Sequence, residues 1–416
     1  MRALPCLLLP CLLSGPLPAQ APSGTYGQTP DKALAHAQAL LARVPLVDGH
    51  NDLPWEIRES KTAPMDVDAY DLRKRTPDET DLARLRVGQV SAQFWSVYVP
   101  GELGSGFAKV QLEQLDIARR MIAKYPEALM FATRSSDIAQ ARKAHKVASF
   151  IGMEGGHAIE NSLGALRMYY DLGARYMTLT HNVTLDWADA ALGERKHGGL
   201  TPFGREVVRE MNRLGMMVDI SHVSPDVMRD VLDTSEAPVI FSHSSARALV
   251  DHPRNVPDAI LARMPKNGGV VMVTFVPLFV NATVKAWYDG LDAATKGLKG
   301  TEAKDAEAAY RKAHAPEPKA TLKDVADHID HIAKVAGHDH VGLAADYAGG
   351  PNPEGLEDVS KYPQLFAELI RRGWSDADLA KLAGGNLIRT FAVVEKVSGR
   401  LRKERAAGLA KIPERH

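Results

Sequence analysis

Eight side chains between residues 50 and 346 are of the types that metal-assisted hydrolysis uses. His50 and Asp52 stand two apart in "VDGHNDLPW". Glu154 lies in "GMEGGH", His181 in "TLTHN", and His222 and His243 each follow a serine. Arg254 lies in "DHPRNVPD" and Asp346 in "AADY". An H-x-D pair by itself is as much a turn as a metal grip. As a set, three histidines, an aspartate and a glutamate suit a pair of Zn2+ ions about 3.5–4 Å apart. Residues i and i+2 of a strand share a face, so His50 and Asp52 can aim at one ion. His222 and His243 can share the second, and Glu154 can bridge with its two oxygens. Such a pair lowers the pKa of a bound water toward about 7 and clamps a polarised carbonyl. The resulting hydroxide nucleophile needs no serine or cysteine. The only cysteines, Cys6 and Cys11, lie at the start of the chain, and there is no G-x-S-x-G elbow.

Substrate falls to the other three. His181 can donate to a tetrahedral oxyanion. Asp346 can take a proton from the attacking water and pass it to the leaving amine, or hold a substrate ammonium. Arg254 can clamp a carboxylate through two parallel hydrogen bonds. A surface salt bridge is the other reading of that arginine.

Something must carry these residues to one place. Eight short apolar runs recur, each followed by a polar or glycine-rich stretch and then a helical pattern: Val44–Val47, Val90–Val97, Val147–Gly152, Tyr176–Leu179, Met216–Ile220, Val239–Phe241, Gly269–Phe275 and Val341–Ala345. "PFGREVVREMNRLG" puts Val207, Val208, Met211 and Leu214 on one helical face. Eight strand–helix alternations predict an α/β fold, a parallel (β/α)8 TIM barrel. A doubly wound open sheet is the runner-up, but no G-x-G-x-x-G follows the first run. In such a barrel chemistry sits where strands end. Six of the eight runs end in a metal-capable or acid–base side chain. The same rule sets other histidines aside. His338 and His340 precede the last run, and His328 and His331 stand at helical spacing. His157, three residues after Glu154, either supports the ligands or makes a local backbone bond.

Apolar residues make up 45% of the 416, and Lys+Arg balance Asp+Glu at 51 each, so bulk charge gives no case for nucleic acid or an anionic membrane. Residues 1–21 read as a cleaved secretory signal, with Arg2, an apolar stretch and then small residues. The expected mature chain, 22–416, is a single domain without thiols, secreted or periplasmic, and any homodimer is non-covalent. No hydrophobic tail closes it, so no membrane anchor is expected. Residues 281–320 are Ala- and Lys-rich and read as a helical insertion after the seventh strand, either a lid or a surface excursion.

Taken together, "DGHNDLPW", "QFWSVY", "GMEGGH", "MTLTHN", "RLGMMVDISHVS", "APVIFSHSSARAL", "RNVPD" and "EGLEDVSKYP" resemble the membrane (renal) dipeptidase family of dizinc peptidases. The likeness runs from about residue 40 to 395. It implies a metal-dependent hydrolase barrel that cleaves dipeptides, in some members those with a C-terminal D-residue, and in some that opens carbapenem rings. Carried over, His50 and Asp52 match ligands of one zinc, His222 and His243 those of the second, and Glu154 the bridge. His181 matches the contact to the substrate carbonyl, Arg254 that to its carboxylate, and Asp346 the acid–base or amine-binding carboxylate. A related amidohydrolase acting on lactams or N-acyl amino acids is the alternative. The chain departs from its relatives at "AADYAGG", where Ala348 replaces a second acid, in its lack of disulfide and anchor cysteines, and in the longer 281–320 segment.

Overall fold

The computed structural model describes residues 31–412, so the leader expected at 1–21 lies outside the described residues. Nine parallel strands follow in chain order: β1 Leu46–Asn51, β2 Val90–Tyr98, β3 Leu129–Phe131, β4 Val147–Glu154, β5 Ala174–Thr178, β6 Met217–Asp219, β7 Ile240–Phe241, β8 Val270–Val273 and β9 Val341–Leu343. Eight of them close into a ring. β1 pairs with both β2 and β9, β2 pairs with β4, and β4 to β9 follow as neighbours. β3 stands outside the ring. It pairs with Val147–Ser149 at the start of β4, on the edge that β5 takes from Ile151 onward.

The eight runs read from the sequence all become barrel strands. They are legible because barrel strands are buried on both faces and so read as unbroken apolar runs. β1 departs furthest in its bounds. Its run ends at Val47 in the sequence, but the strand continues through Asp48, His50 and Asn51, all buried. These polar groups stay in the strand because each finds a partner. Asp48 accepts from the backbone of His50 and Ala345, and Asn51 donates to Thr80.

Side chains alternate between two cores. Val47, Phe94, Phe150, Tyr176, Met217, Ile240 and Met272 point into the barrel, where Phe94 and Phe150 stack at 4.7 Å between centroids. Phe391 of helix Asn386–Glu404 packs against that pair from below. The opposite faces meet the surrounding helices. Helix Pro202–Leu214 shows how the sequence sets one. Thr201 caps its first turn, proline occupies the position where a missing N–H costs nothing, and Gly215 ends it at φ 84°. Its Val207, Val208, Met211 and Leu214 are buried, each worth about 1.5–3 kcal/mol.

The 281–320 segment is helical, as Ala282–Thr295 and Gly300–Ala313. The two helices pack on each other through Trp287 and Tyr310, 5.4 Å between centroids. No residue of this hairpin lines the pocket described next.

Candidate active site

All eight residues converge at the C-terminal rim of the barrel. His50 belongs to β1 and Glu154 is the last residue of β4. His181, His222, His243 and Asp346 follow β5, β6, β7 and β9 within three residues. Asp52 is not in the strand. It is the N-cap of helix Leu53–Arg58, with φ −90° and ψ 19°, and the turn rather than the pleat brings it beside His50. His222 and Asp346 hold left-handed backbone at φ 63° and 64°. Strain of this kind costs on the order of 1–3 kcal/mol per residue and gathers at sites where geometry outranks stability.

Glu154 is the centre. Its Oε1 is 3.0 Å from His222 Nε2 and 3.3 Å from His243 Nε2. Its Oε2 faces the other way, 3.5 Å from His50 Nε2. His50 Nε2 lies 3.3 Å from Asp52 Oδ2 and 3.7 Å from Asp346 Oδ1. The Nε2 atoms of His222 and His243 are 2.9 Å apart. Three overlapping groups therefore have donor atoms within 4.8 Å of one another: His50, Glu154 and His243; Glu154, His181 and His222; His50, Asp52 and Asp346. His181 is thus within ligand reach as well as facing the pocket.

Electrostatics point the same way. Burial works against ionising Glu154, yet His50 and the hydrogen bonds of His222 and His243 hold it well below the usual carboxylate range. Burial also opposes a charged His50, but Tyr176, Asp52 and Glu154 outweigh it and push that histidine well up. Burial, with Arg254 adding to it, pushes His222 and His243 down. Burial raises Asp346, against the pull of His243 and His50. Glu154 is thus held charged among three histidine nitrogens, a place where a cation fits. His50 Nε2 and Asp52 Oδ1 are buried without a hydrogen-bond partner. Imidazole nitrogens and carboxylate oxygens, with no thiolate, make a donor set that a borderline divalent ion such as Zn2+ fits.

Above the cluster is a cavity of about 360 Å3. Asp52, Glu154, His181, His222, His243, Arg254 and Asp346 line it, together with Trp55, Tyr98, Asn182, Leu192, Val276, Phe279, Ala348 and Gly349. Arg254 is 1% exposed, and Nη2 reaches the His243 carbonyl at 3.3 Å. Its Nε has no partner, and among the described residues no carboxylate pairs with it. Burial pulls its guanidinium down to about 10. The guanidinium lies over the Phe279 ring at 5.3 Å. His181 packs between Tyr98 and His222, and burial lowers it.

The sequence reading missed the aromatic and polar lining. Trp55 and Asn182 sit inside motifs already singled out, and Tyr98 ends "QFWSVY", so proximity to those motifs was the available signal. The histidines set aside are held elsewhere. His328 accepts from Ala246 N and bonds the Val280 carbonyl, His331 pairs with Asp258, and His340 bonds the Gly269 carbonyl. His338 packs edge-on against Trp374. His157 bonds the Val99 carbonyl at 2.8 Å, a backbone bond to a neighbouring strand end 58 residues away rather than a local one.

Comparison with known proteins agrees with this fold. Residues 34–405 match the model of the membrane dipeptidase family, peptidase family M19. The chain is similar to the structure of the probable dipeptidase PvdM from Pseudomonas aeruginosa, at 28% identity and a TM-score of 0.78, over 89% of this chain and 100% of that one. A metallo peptidase from Rhodobacter sphaeroides, liganded with a phosphinate mimic of the dipeptide L-Ala-D-Ala, shares the fold at 22% identity and a TM-score of 0.69, covering 84% and 99%. With a matching family model over most of its length and a closed barrel carrying a metal-capable rim, the chain belongs to the membrane dipeptidase family, peptidase family M19, and is a metallo-dipeptidase.

Proposed function

We propose that this protein is an exported dipeptidase that uses two Zn2+ ions per chain and hydrolyses dipeptides bearing a free carboxylate, those with a C-terminal D-residue included. The observation that carries the substrate reading is Arg254, a buried guanidinium without a carboxylate partner, in the same pocket as the metal-capable cluster. A buried cation of this kind awaits an anion, and the C-terminal carboxylate of a dipeptide fits its fork. Arg254 and the cluster line one cavity of about 360 Å3, room for a short substrate.

His50 and Asp52 would hold one ion, His222 and His243 the other, and Glu154 one with each oxygen. When bound, such a pair polarises the scissile carbonyl and lowers the pKa of the attacking water toward about 7. The chain's own groups do the rest. His181, kept neutral by burial, presents an N–H to the oxygen that becomes negative. Asp346, its pKa raised by burial, is suited to take a proton from water and return it to the leaving amine. Trp55, Tyr98 and Phe279 give the cavity its aromatic lining. Acceptance of a D-residue and export rest on the family resemblance and the leader expected at 1–21. No described helix is long and apolar enough to cross a membrane.

The test is kcat/KM of the zinc-loaded protein on L-Ala-L-Ala, L-Ala-D-Ala, L-alanyl-L-alaninamide and N-acetyl-L-alanine. Both dipeptides should outrun the amide by about 100-fold or more, the worth of a buried charged pair. Faster cleavage of the N-acetyl compound would favour an N-acyl amidohydrolase instead.

A further inference from the structure

We propose that Tyr176 and Ser242 are positioning residues, each fixing the ring proton of one ligand histidine on Nδ1 so that Nε2 is left bare for a divalent ion. This rests on the two-ion reading above.

Tyr176 projects from β5 into the barrel and reaches β1 beneath the site. Its hydroxyl is 2.9 Å from His50 Nδ1 and 3.2 Å from the Gly49 carbonyl. A carbonyl only accepts, so the one hydroxyl proton goes to Gly49. The hydroxyl then has only lone pairs to offer His50, and Nδ1 must be the donor. The Nδ1 proton is thereby placed away from the cluster, and Nε2, facing Glu154 and Asp52, is the nitrogen that a divalent ion would take in place of a proton. The path of Tyr176 is cut through the barrel at some cost. Gly152 of β4 lies under the ring, and a Cβ there would sit 2.0 Å from Cζ. Any other residue at 152 would displace the hydroxyl from His50.

Ser242 repeats the logic with a different acceptor. Its Oγ is 2.6 Å from Asp219 Oδ2 and 2.8 Å from His243 Nδ1. Asp219 accepts from the backbone of Ser221 and Ser242 at one oxygen and from Thr178 and Ser242 hydroxyls at the other. With those four donors turned toward it, the carboxylate is an acceptor. Ser242 therefore donates to Asp219 and accepts from His243 Nδ1. Two hydroxyls, one on β5 and one just past the end of β7, orient one histidine at each ion site, and both residues are wholly buried. Support of this kind is worth about 10–100-fold in metal affinity.

The experiment is a stepwise Zn2+ competition titration against a chromogenic chelator at fixed neutral pH. It compares wild type, Tyr176→Phe and Ser242→Ala, with the melting temperature of each metal-free protein alongside. Each variant should weaken one of the two ions about 10–100-fold and leave the other at wild-type affinity. Wild-type affinity for both ions in both variants, with only the melting temperature lowered, would reduce the hydroxyls to packing and overturn the proposal. A wild-type protein that binds no divalent ion would overturn the two-ion reading, and this proposal with it.

Discussion

Arg84 and Arg254 are buried to nearly the same depth, 5% and 1% exposed, and their surroundings differ. Arg84 lies in the first turn of helix Leu82–Val87, which Asp81 caps. Its Nε meets Asp81 at 2.7 Å, Nη1 meets Asp358 at 3.4 Å, and Nη2 meets the Thr76 hydroxyl at 2.7 Å. Arg254 has two long contacts to neutral oxygens and no carboxylate among the described residues. A buried charge that serves the fold arrives with its counter-charge. One that serves a substrate leaves that place open. The same contrast divides the histidines. His328 bonds at both ring nitrogens to the backbone, whereas His50 has one nitrogen held and one buried without a hydrogen bond.

The largest effect expected on the functional side is at Glu154. Glu154→Gln keeps the shape and removes the charge that His50, His222 and His243 surround. Turnover of a dipeptide should fall by about 10^4-fold, some 5.5 kcal/mol in the barrier. Elemental analysis should find fewer bound ions, and far-UV circular dichroism should be unchanged. Full turnover in this variant would mean that the cluster is another scaffold network.

Next come the two arginines, exchanged against each other. Arg254→Met should lower kcat/KM for a dipeptide by about 100- to 1000-fold, as expected for one partner of a buried charged pair. The C-terminal amide, already without its carboxylate, should lose little. Thermal stability should hold, because the variant strands no carboxylate. Arg84→Met should do the reverse. It leaves Asp81 buried without its ion-pair partner and Asp358 with Arg75 alone, a loss of about 3–5 kcal/mol, with kcat/KM intact in whatever remains folded. Equal stability losses in both variants would erase the distinction.

That distinction was not legible in the sequence, and the reason is physical. Residue type and rim position suffice to bring out His50, Asp52, Glu154, His181, His222, His243 and Asp346, because strand ends in a barrel are fixed by the apolar runs. Whether Arg254 has a partner depends on loops that meet only after folding, so its two readings stayed open. Tyr176, Ser242 and Asp219 read as ordinary strand residues. Their role depends on which strands are neighbours and on Gly152 making room, and no spacing encodes either. β3 escaped notice because three residues of mixed exposure carry no period. β1 was cut short because its chemistry lies inside the strand, where polar residues break the apolar run.

His328 offers a smaller test on the scaffold side. Burial pushes it down to about 4 from an ordinary 6.5. Above pH 6.5 it is neutral in both folded and unfolded chains and has no effect on the pH profile. As pH falls from 6.5 to 4, the unfolded chain takes a proton that the folded chain refuses, so stability drops. Below 4 the loss is complete, on the order of 3 kcal/mol. His157 and His252 are also pushed down to about 4 and share this acid flank. His328→Gln should therefore cost about 1–3 kcal/mol at pH 7.5 for the lost hydrogen bonds. It should also make the fall in melting temperature between pH 7 and 4.5 shallower rather than abolish it. Loss of bound metal in acid affects wild type and variant alike and cancels in the difference between the two curves. Parallel curves would show that His328 is no more a titrating group in this fold than Arg84 is a substrate anchor.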